Sequence, residues 1–240
     1  MVLEICASNY QSALNAQKAG AHRIELCQEL AVGGVTPSYG LIKQVIAQLS
    51  IPVFVLIRPR SGNFTYTDQE FEIMLKDIQL CKKLNVAGIV SGVLLDDFTI
   101  DVTRTRELVA LAAPLPFTFH RAFDWVKDPY TSLDQLITIG VKRVLTSGLE
   151  DSAQKGLPLL NKLKNHASNK ITIIPGGGIS YLNAGNFVTL GFDEIHASAT
   201  KIVRKKTTSK VSMNSVKFLD DEVLYYSDKK LIQKLLKTIK

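Results

Sequence analysis

Cysteine is scarce, and that scarcity excludes one class of protein. Cys6, Cys27 and Cys81 are the three cysteines in 240 residues, too few for the disulfide framework of a small secreted domain. A reducing cytoplasm is the expected setting. Long apolar runs are also missing. None reaches the roughly 18 residues that a membrane span requires, so no membrane association is expected. Met1, Val2, Leu3 and Glu4 carry no basic stretch ahead of an apolar one and do not read as a signal peptide. A charge excess is absent from most of the chain. Residues 1–200 hold 18 basic and 18 acidic side chains, whereas residues 201–240 hold 11 basic and 4 acidic, so the net charge of +7 lies in the tail. The tail lacks the aromatic-basic interleaving of RNA-binding modules, and no nucleic acid partner is expected. It reads as a solvated surface segment, with an acidic partner or a subunit interface as the alternative.

No composition break divides the chain, which reads as one domain over 1–240. Strand and helix signals alternate along it. Strands are predicted at 2–6, 22–27, 52–57, 87–90, 116–119, 142–146, 171–174 and 193–196. Helices are predicted at 9–19, 36–49, 67–85, 101–112, 129–139, 152–167, 180–190 and 228–239. Pro37 suits a first helical position, and Thr67 with Glu70 forms a capping box. Eight such units predict an α/β fold of the (β/α)8 TIM-barrel type, with the core in residues 1–200. A doubly wound open sheet is the alternative, but it rarely needs eight units of even length. The basic segment 201–240 then holds the closing helix, preceded by an unusually long loop at 197–227.

In this fold the strand ends converge on one face, where active sites sit. Glu-x-Cys occurs at the end of the first strand (Glu4, Cys6) and again at the end of the second (Glu25, Cys27). Residues two apart share a strand face, so both carboxylates and both thiols are expected inside the barrel. Arg58 and His120 are the expected inward groups on strands three and five, with Thr118 beneath His120. Two neighbouring glutamates repel, which raises one pKa and suits acid–base chemistry. Arg58 close by is expected to hold both ionised, in which case the set is a structural ion-pair network instead. Glu4, Glu25, Arg58 and His120 are thus the candidate catalytic residues. Gly176, Gly177 and Gly178 lead toward a helix, where free N–H groups bind anions. With hydroxyls such as Ser147, and with His196, they form a candidate site for a small anionic metabolite. The thiols read as small buried hydrophobes or as a soft pair suited to Cu(I). Cys81, inside a helix, reads as packing or surface.

Six ordered segments carry a resemblance. They are Arg-Ile-Glu-Leu-Cys at 23–27, Gly-Gly-Val-Thr-Pro-Ser at 33–38, Pro-Val-Phe-Val-Leu-Ile-Arg-Pro-Arg at 52–60, Thr-Phe-His-Arg-Ala-Phe-Asp at 118–124, Arg-Val-Leu-Thr-Ser-Gly at 143–148 and Pro-Gly-Gly-Gly-Ile at 175–179. Together they resemble the CutC family. The resemblance implies a TIM barrel, a cytoplasmic homo-oligomer linked to copper homeostasis, and Cu(I) at Cys6 and Cys27, with no organic cofactor. It supplies no reaction. The polar ring exceeds what two-coordinate copper capture requires, so an enzyme acting on a small phosphorylated or carboxylated substrate remains the alternative.

Overall fold

The computed structural model describes residues 1–205, 211 and 220–240. Eight parallel strands form one sheet, and helices alternate with them. The strands are β1 (Val2–Ala7), β2 (Arg23–Leu26), β3 (Val53–Leu56), β4 (Gly88–Ser91), β5 (Phe117–Phe119), β6 (Arg143–Thr146), β7 (Thr172–Pro175) and β8 (Glu194–Ala197). Their spatial order runs from β7 through β1 to β8, and a parallel bridge between Gly176 and His196 joins the two ends. This is the (β/α)8 barrel that the alternation predicts.

The strands are buried on both faces, as continuous apolar runs require. One residue set, including Leu3, Ile5, Ile24, Val55, Ile89 and Val144, packs outward beneath the helices. The other points inward, where Cys6, Cys27, Phe54, Leu56 and Val90 form a separate small apolar cluster. Local signals set the helix ends. Asn9 caps α1 (Tyr10–Ala19), which stops at Gly20 in the left-handed region. The predicted capping box of Thr67 and Glu70 starts α3 (Asp68–Lys83), which buries Cys81 in the core. Asp101 caps α4 (Val102–Ala112), and Asp128 caps α5 (Pro129–Ile139). Among the described residues no helix is long and apolar enough to cross a membrane.

Several boundaries differ from the sequence expectation. Helix α2 (Tyr39–Gln48) starts after a Ser38 cap, not at Pro37. Thr36 is held extended by Arg58, exchanging Thr36 N–H to Arg58 O and Arg58 N–H to Thr36 Oγ1. Helix α6 (Leu157–Ala167) starts one residue before its proline, because residues 153–156 form turns over the glycine contact between Gly148 and Gly156. Helix α7 (Ala184–Thr189) starts six residues after Gly178, so the glycine run does not open a helix. The expected long loop holds an antiparallel hairpin of β9 (Thr200–Arg204) and β10 (Val223–Ser227), with 206–210 and 212–219 outside the described residues. Asn9 and Asn15 side chains donate to Tyr225 O and Ser227 O, and Ser227 N–H donates to Ser12 Oγ, pinning β10 against α1. Helix α8 (Lys229–Thr238), capped by Asp228, completes the outer ring.

Candidate functional site

Strand alternation delivers the Glu-x-Cys pairs to the barrel interior, and register decides who meets whom. Glu4 opposes Arg23 on β2 and His196 on β8, while Cys6 opposes Glu25. Cys27 lies one step farther along β2, and its sulfur sits 3.6 Å from that of Cys6. Both thiols are buried, at 7% exposure for Cys6 and 0% for Cys27. Gly34 explains the difference. It lies over Cys27 so closely that a Cβ there would sit 3.4 Å from the sulfur and 2.8 Å from Leu56. Cys6 instead lines the open mouth.

Beneath the thiols lies a charged chain. Arg23 Nε donates to Glu4 Oε2 at 2.5 Å and its Nη2 donates to Glu194 at 2.5 Å. His196 Nδ1 lies 2.7 Å from Glu4 Oε1 and 3.7 Å from Glu25 Oε2. Burial opposes ionisation of Glu4, but His196 and Arg23 outweigh it and hold the carboxyl at a pKa of about 2. Glu25 goes the other way. Burial is the main cause, the Glu4 charge adds to it, and together they raise Glu25 to about 7 despite His196 and Arg23. Burial disfavours the His196 imidazolium, yet the Cys6 sulfur and the two carboxylates beside it leave its pKa well above 6.5. The Cys27 sulfur, with burial behind it, pushes the Cys6 thiol well above its ordinary value.

The glutamates therefore split, and Arg58 does not hold both ionised. The cation that holds Glu4 is Arg23, two residues before Glu25 and so on the same strand face. Arg58 spends its terminal nitrogens on Val32 O, Gly34 O and Gly62 O, and stacks on Phe64. It holds neither glutamate ionised, which corrects the expectation. Arg23 also stacks on Phe54, with Arg143 on that ring as well. Gly88 lets the ring lie flat across β4, since a Cβ would come within 2.4 Å of it.

His120 does point inward, above a buried Thr118 that accepts from Arg143 Nε. Its Nδ1 accepts the Ala122 N–H at 3.1 Å, which leaves the proton on Nε2. Burial and the Arg58 charge lower its pKa to about 3, so the ring is neutral. Among the described residues its Nε2 makes no hydrogen bond, and neither does Arg58 Nε or Glu25 Oε2.

The glycine turn and Ser147 stand across the mouth. Gly176 N–H donates to Thr146 O, and Gly177 O accepts from Ala153 N–H. The Ser147 hydroxyl is engaged by Asp124, Glu150 O and Arg121. Asp124, absent from the sequence reading, gathers Thr146 Oγ1 at 2.5 Å, Ser147 N–H at 2.9 Å and Arg121 Nε at 2.7 Å. An acid closing a 3₁₀ turn just after a barrel strand was the available signal.

These elements enclose a cavity of about 960 Å³, which Cys6, Glu25, Arg58, His120, Gly177, Gly178 and His196 help to line. Phe64 and Trp125 supply its aromatic wall. Glu4, Glu25 and His196 place one donor atom each within 4.8 Å of one another, and the two soft sulfurs stand on the same side of the barrel.

Comparison with known proteins now bears on this geometry. Residues 1–201 match the model of the CutC family. The chain is 46% identical over 206 residues to the family protein CutC of Photorhabdus laumondii, covering 86% of this chain and 83% of that one. It is 48% identical over 199 residues to the copper homeostasis protein cutC homolog of Mus musculus, covering 82% and 73%. The crystal structure of CutC from Streptococcus agalactiae superposes with a TM-score of 0.78 at 36% identity, covering 82% of this chain and 98% of that one. The chain belongs to the CutC family of copper homeostasis proteins.

Proposed function

We propose that this protein serves copper homeostasis by taking up Cu(I) as cargo through the thiols of Cys6 and Cys27. The observation that supports this reading is the sulfur–sulfur contact of 3.6 Å at the inner edge of the barrel mouth. Thiolates are the soft ligands that suit Cu(I). With the zinc–thiolate bond of about 2.3 Å as a guide, a linear two-coordinate ion needs the sulfurs about 4.6 Å apart, so uptake spreads the pair by about 1 Å. Held at the present separation, the pair would instead subtend a bent angle that leaves room for a third donor. The Cys6 thiol gives up its proton on binding, and the neighbouring His196 imidazolium favours the thiolate that remains. Cargo enters past Cys6, since Gly34 covers Cys27. A reducing cytoplasm keeps both thiols available, and assembly as a homo-oligomer belongs to the same reading.

The test is a Cu(I) competition titration of the wild-type chain against the Cys6→Ser, Cys27→Ser double variant, with mass in solution measured in parallel. Binding of one ion per chain that disappears in the variant supports the reading. Equal binding by both proteins overturns it.

A further inference from the structure

The cavity is far larger than a metal ion requires, and the wall away from the thiols has its own unsatisfied chemistry. Arg58 is only 5% exposed. A guanidinium stays charged inside proteins, and buried charges are normally paired. Yet Arg58 makes no ion pair among the described residues: its bonds go to three carbonyl oxygens, Nε makes no hydrogen bond, and the polar group set beside the guanidinium is the neutral Tyr66 hydroxyl. His120, also 5% exposed, repeats the pattern. The Ala122 N–H fixes its tautomer, and the Nε2–H that remains has no acceptor. Both side chains pack on the ring of Phe64, each 5.0 Å from its centroid, and all three line the cavity. Gly92 allows this placement, because a Cβ there would meet His120 Nδ1 at 2.7 Å.

A buried donor without an acceptor keeps its desolvation penalty uncompensated. Two of them side by side, one cationic and without a counter-charge, call for an acceptor that carries negative charge. We propose that Arg58 and His120 form a binding site for a small organic oxyanion, a carboxylate or a phosphate ester, with its carbon portion against Phe64 and Trp125. The site does not use the thiols: His120 follows β5, four strands removed from β1, while Arg58 reaches the Gly34 carbonyl of the loop that covers Cys27. Of the groups across the mouth, Gly176 N–H and the Ser147 hydroxyl are already bonded.

The experiment uses metal-free full-length protein at constant ionic strength. Thermal unfolding and calorimetry are run with inorganic phosphate, phenyl phosphate, acetate and benzoate as probes. One of the two anion classes is expected to raise Tm saturably with one site per chain, and its aryl member is expected to bind tighter than the bare anion. The anion class that binds distinguishes phosphate esters from carboxylates. His120→Asn retains an acceptor near the Nδ1 position for the Ala122 cap but loses the Nε2 donor. It is expected to weaken binding at least about tenfold, as loss of a hydrogen bond to a charged group does. His120→Gln, whose amide reaches the Nε2 position, is expected to retain binding within about threefold on the same grounds. The Cys6→Ser, Cys27→Ser variant is expected to bind the anion as wild type does, so failure of copper uptake and failure of this site are separable. Absence of binding by all four probes overturns the proposal, as does wild-type affinity in a folded His120→Asn protein.

Discussion

Cys6 and Cys27 touch without being register partners. Cys6 opposes Glu25, and Cys27 sits one pleat farther on β2, yet the sulfurs are 3.6 Å apart. The contact is diagonal, as interior side chains of adjacent barrel strands fall in alternate layers. One consequence concerns protons. The Cys6 thiol is pushed well above its ordinary pKa, first by Cys27 and then by burial, so it is protonated at neutral pH. Cu(I) uptake must release that proton, and apparent affinity is expected to rise about tenfold per pH unit from this group alone. Competition titrations at pH 6, 7 and 8 check it, and an affinity independent of pH would mean that Cys6 is not a ligand.

Gly88 is expected to be intolerant of a methyl group. Its added Cβ would sit 2.4 Å from Phe54, and the ring cannot step aside because Arg23 and Arg143 stack on it at 4.8 and 4.5 Å. Gly88→Ala should cost about 1–3 kcal/mol, as overpacking of a tight core does. At this chain length that lowers Tm by about 2–4 °C per kcal/mol. Differential scanning calorimetry decides it, and an unchanged Tm would mean that the ring has another place to go.

The barrel and the inward direction of Glu4, Cys6, Glu25 and Cys27 were legible because both follow from periodicity. Arg23 was missed, although it shares parity with Glu25; its partner depended on register, which one chain does not print. Arg58 was placed correctly inside yet assigned to the wrong neighbours. Its backbone acceptors Val32, Gly34 and Gly62 lie on loops whose path sequence patterns do not describe. Thr200–Arg204 and Val223–Ser227 carry β-branched and aromatic residues that fit strands. Reading 197–227 as one loop gave too little weight to that local propensity.

Asp124 is expected to matter more to the mouth than any single hydroxyl there. Its carboxylate accepts from Thr146 Oγ1, Ser147 N–H, Leu149 N–H at 3.3 Å and Arg121 Nε, joining the ends of β5 and β6. Asp124→Ala orphans several donors together and should cost about 3 kcal/mol, within the range for hydrogen bonds to a charged group. Asp124→Asn keeps one acceptor oxygen and should lose less. Urea unfolding of the three proteins checks the order, and an Ala variant as stable as wild type would contradict the network.

The split pair of glutamates gives stability a pH dependence of two signs. Glu4 is held at about 2 against an ordinary 4.5, so its contribution is present above pH 4.5 and is lost as pH falls toward 2. Glu25 is raised from 4.5 to about 7. Between those values the unfolded carboxyl has lost its proton while the folded one keeps it, so stability falls as pH rises through that window. His196 is raised above 6.5, so its contribution is intact below that pH and is lost only as pH climbs through its higher folded value. Between 4.5 and 6.5 Glu25 is opposed by His120, whose folded pKa of about 3 against an ordinary 6.5 makes stability rise with pH over that interval. Glu25→Gln removes the falling contribution, so the profile there should rise with pH through His120, stability should exceed wild type above pH 7, and the acid limb set by Glu4 should stay in place. Urea midpoints from pH 3 to 8 measure all three effects. A variant that keeps the wild-type slope between 4.5 and 6.5 would show that Glu25 ionises normally, with water or a metal ion reaching its unpartnered Oε2.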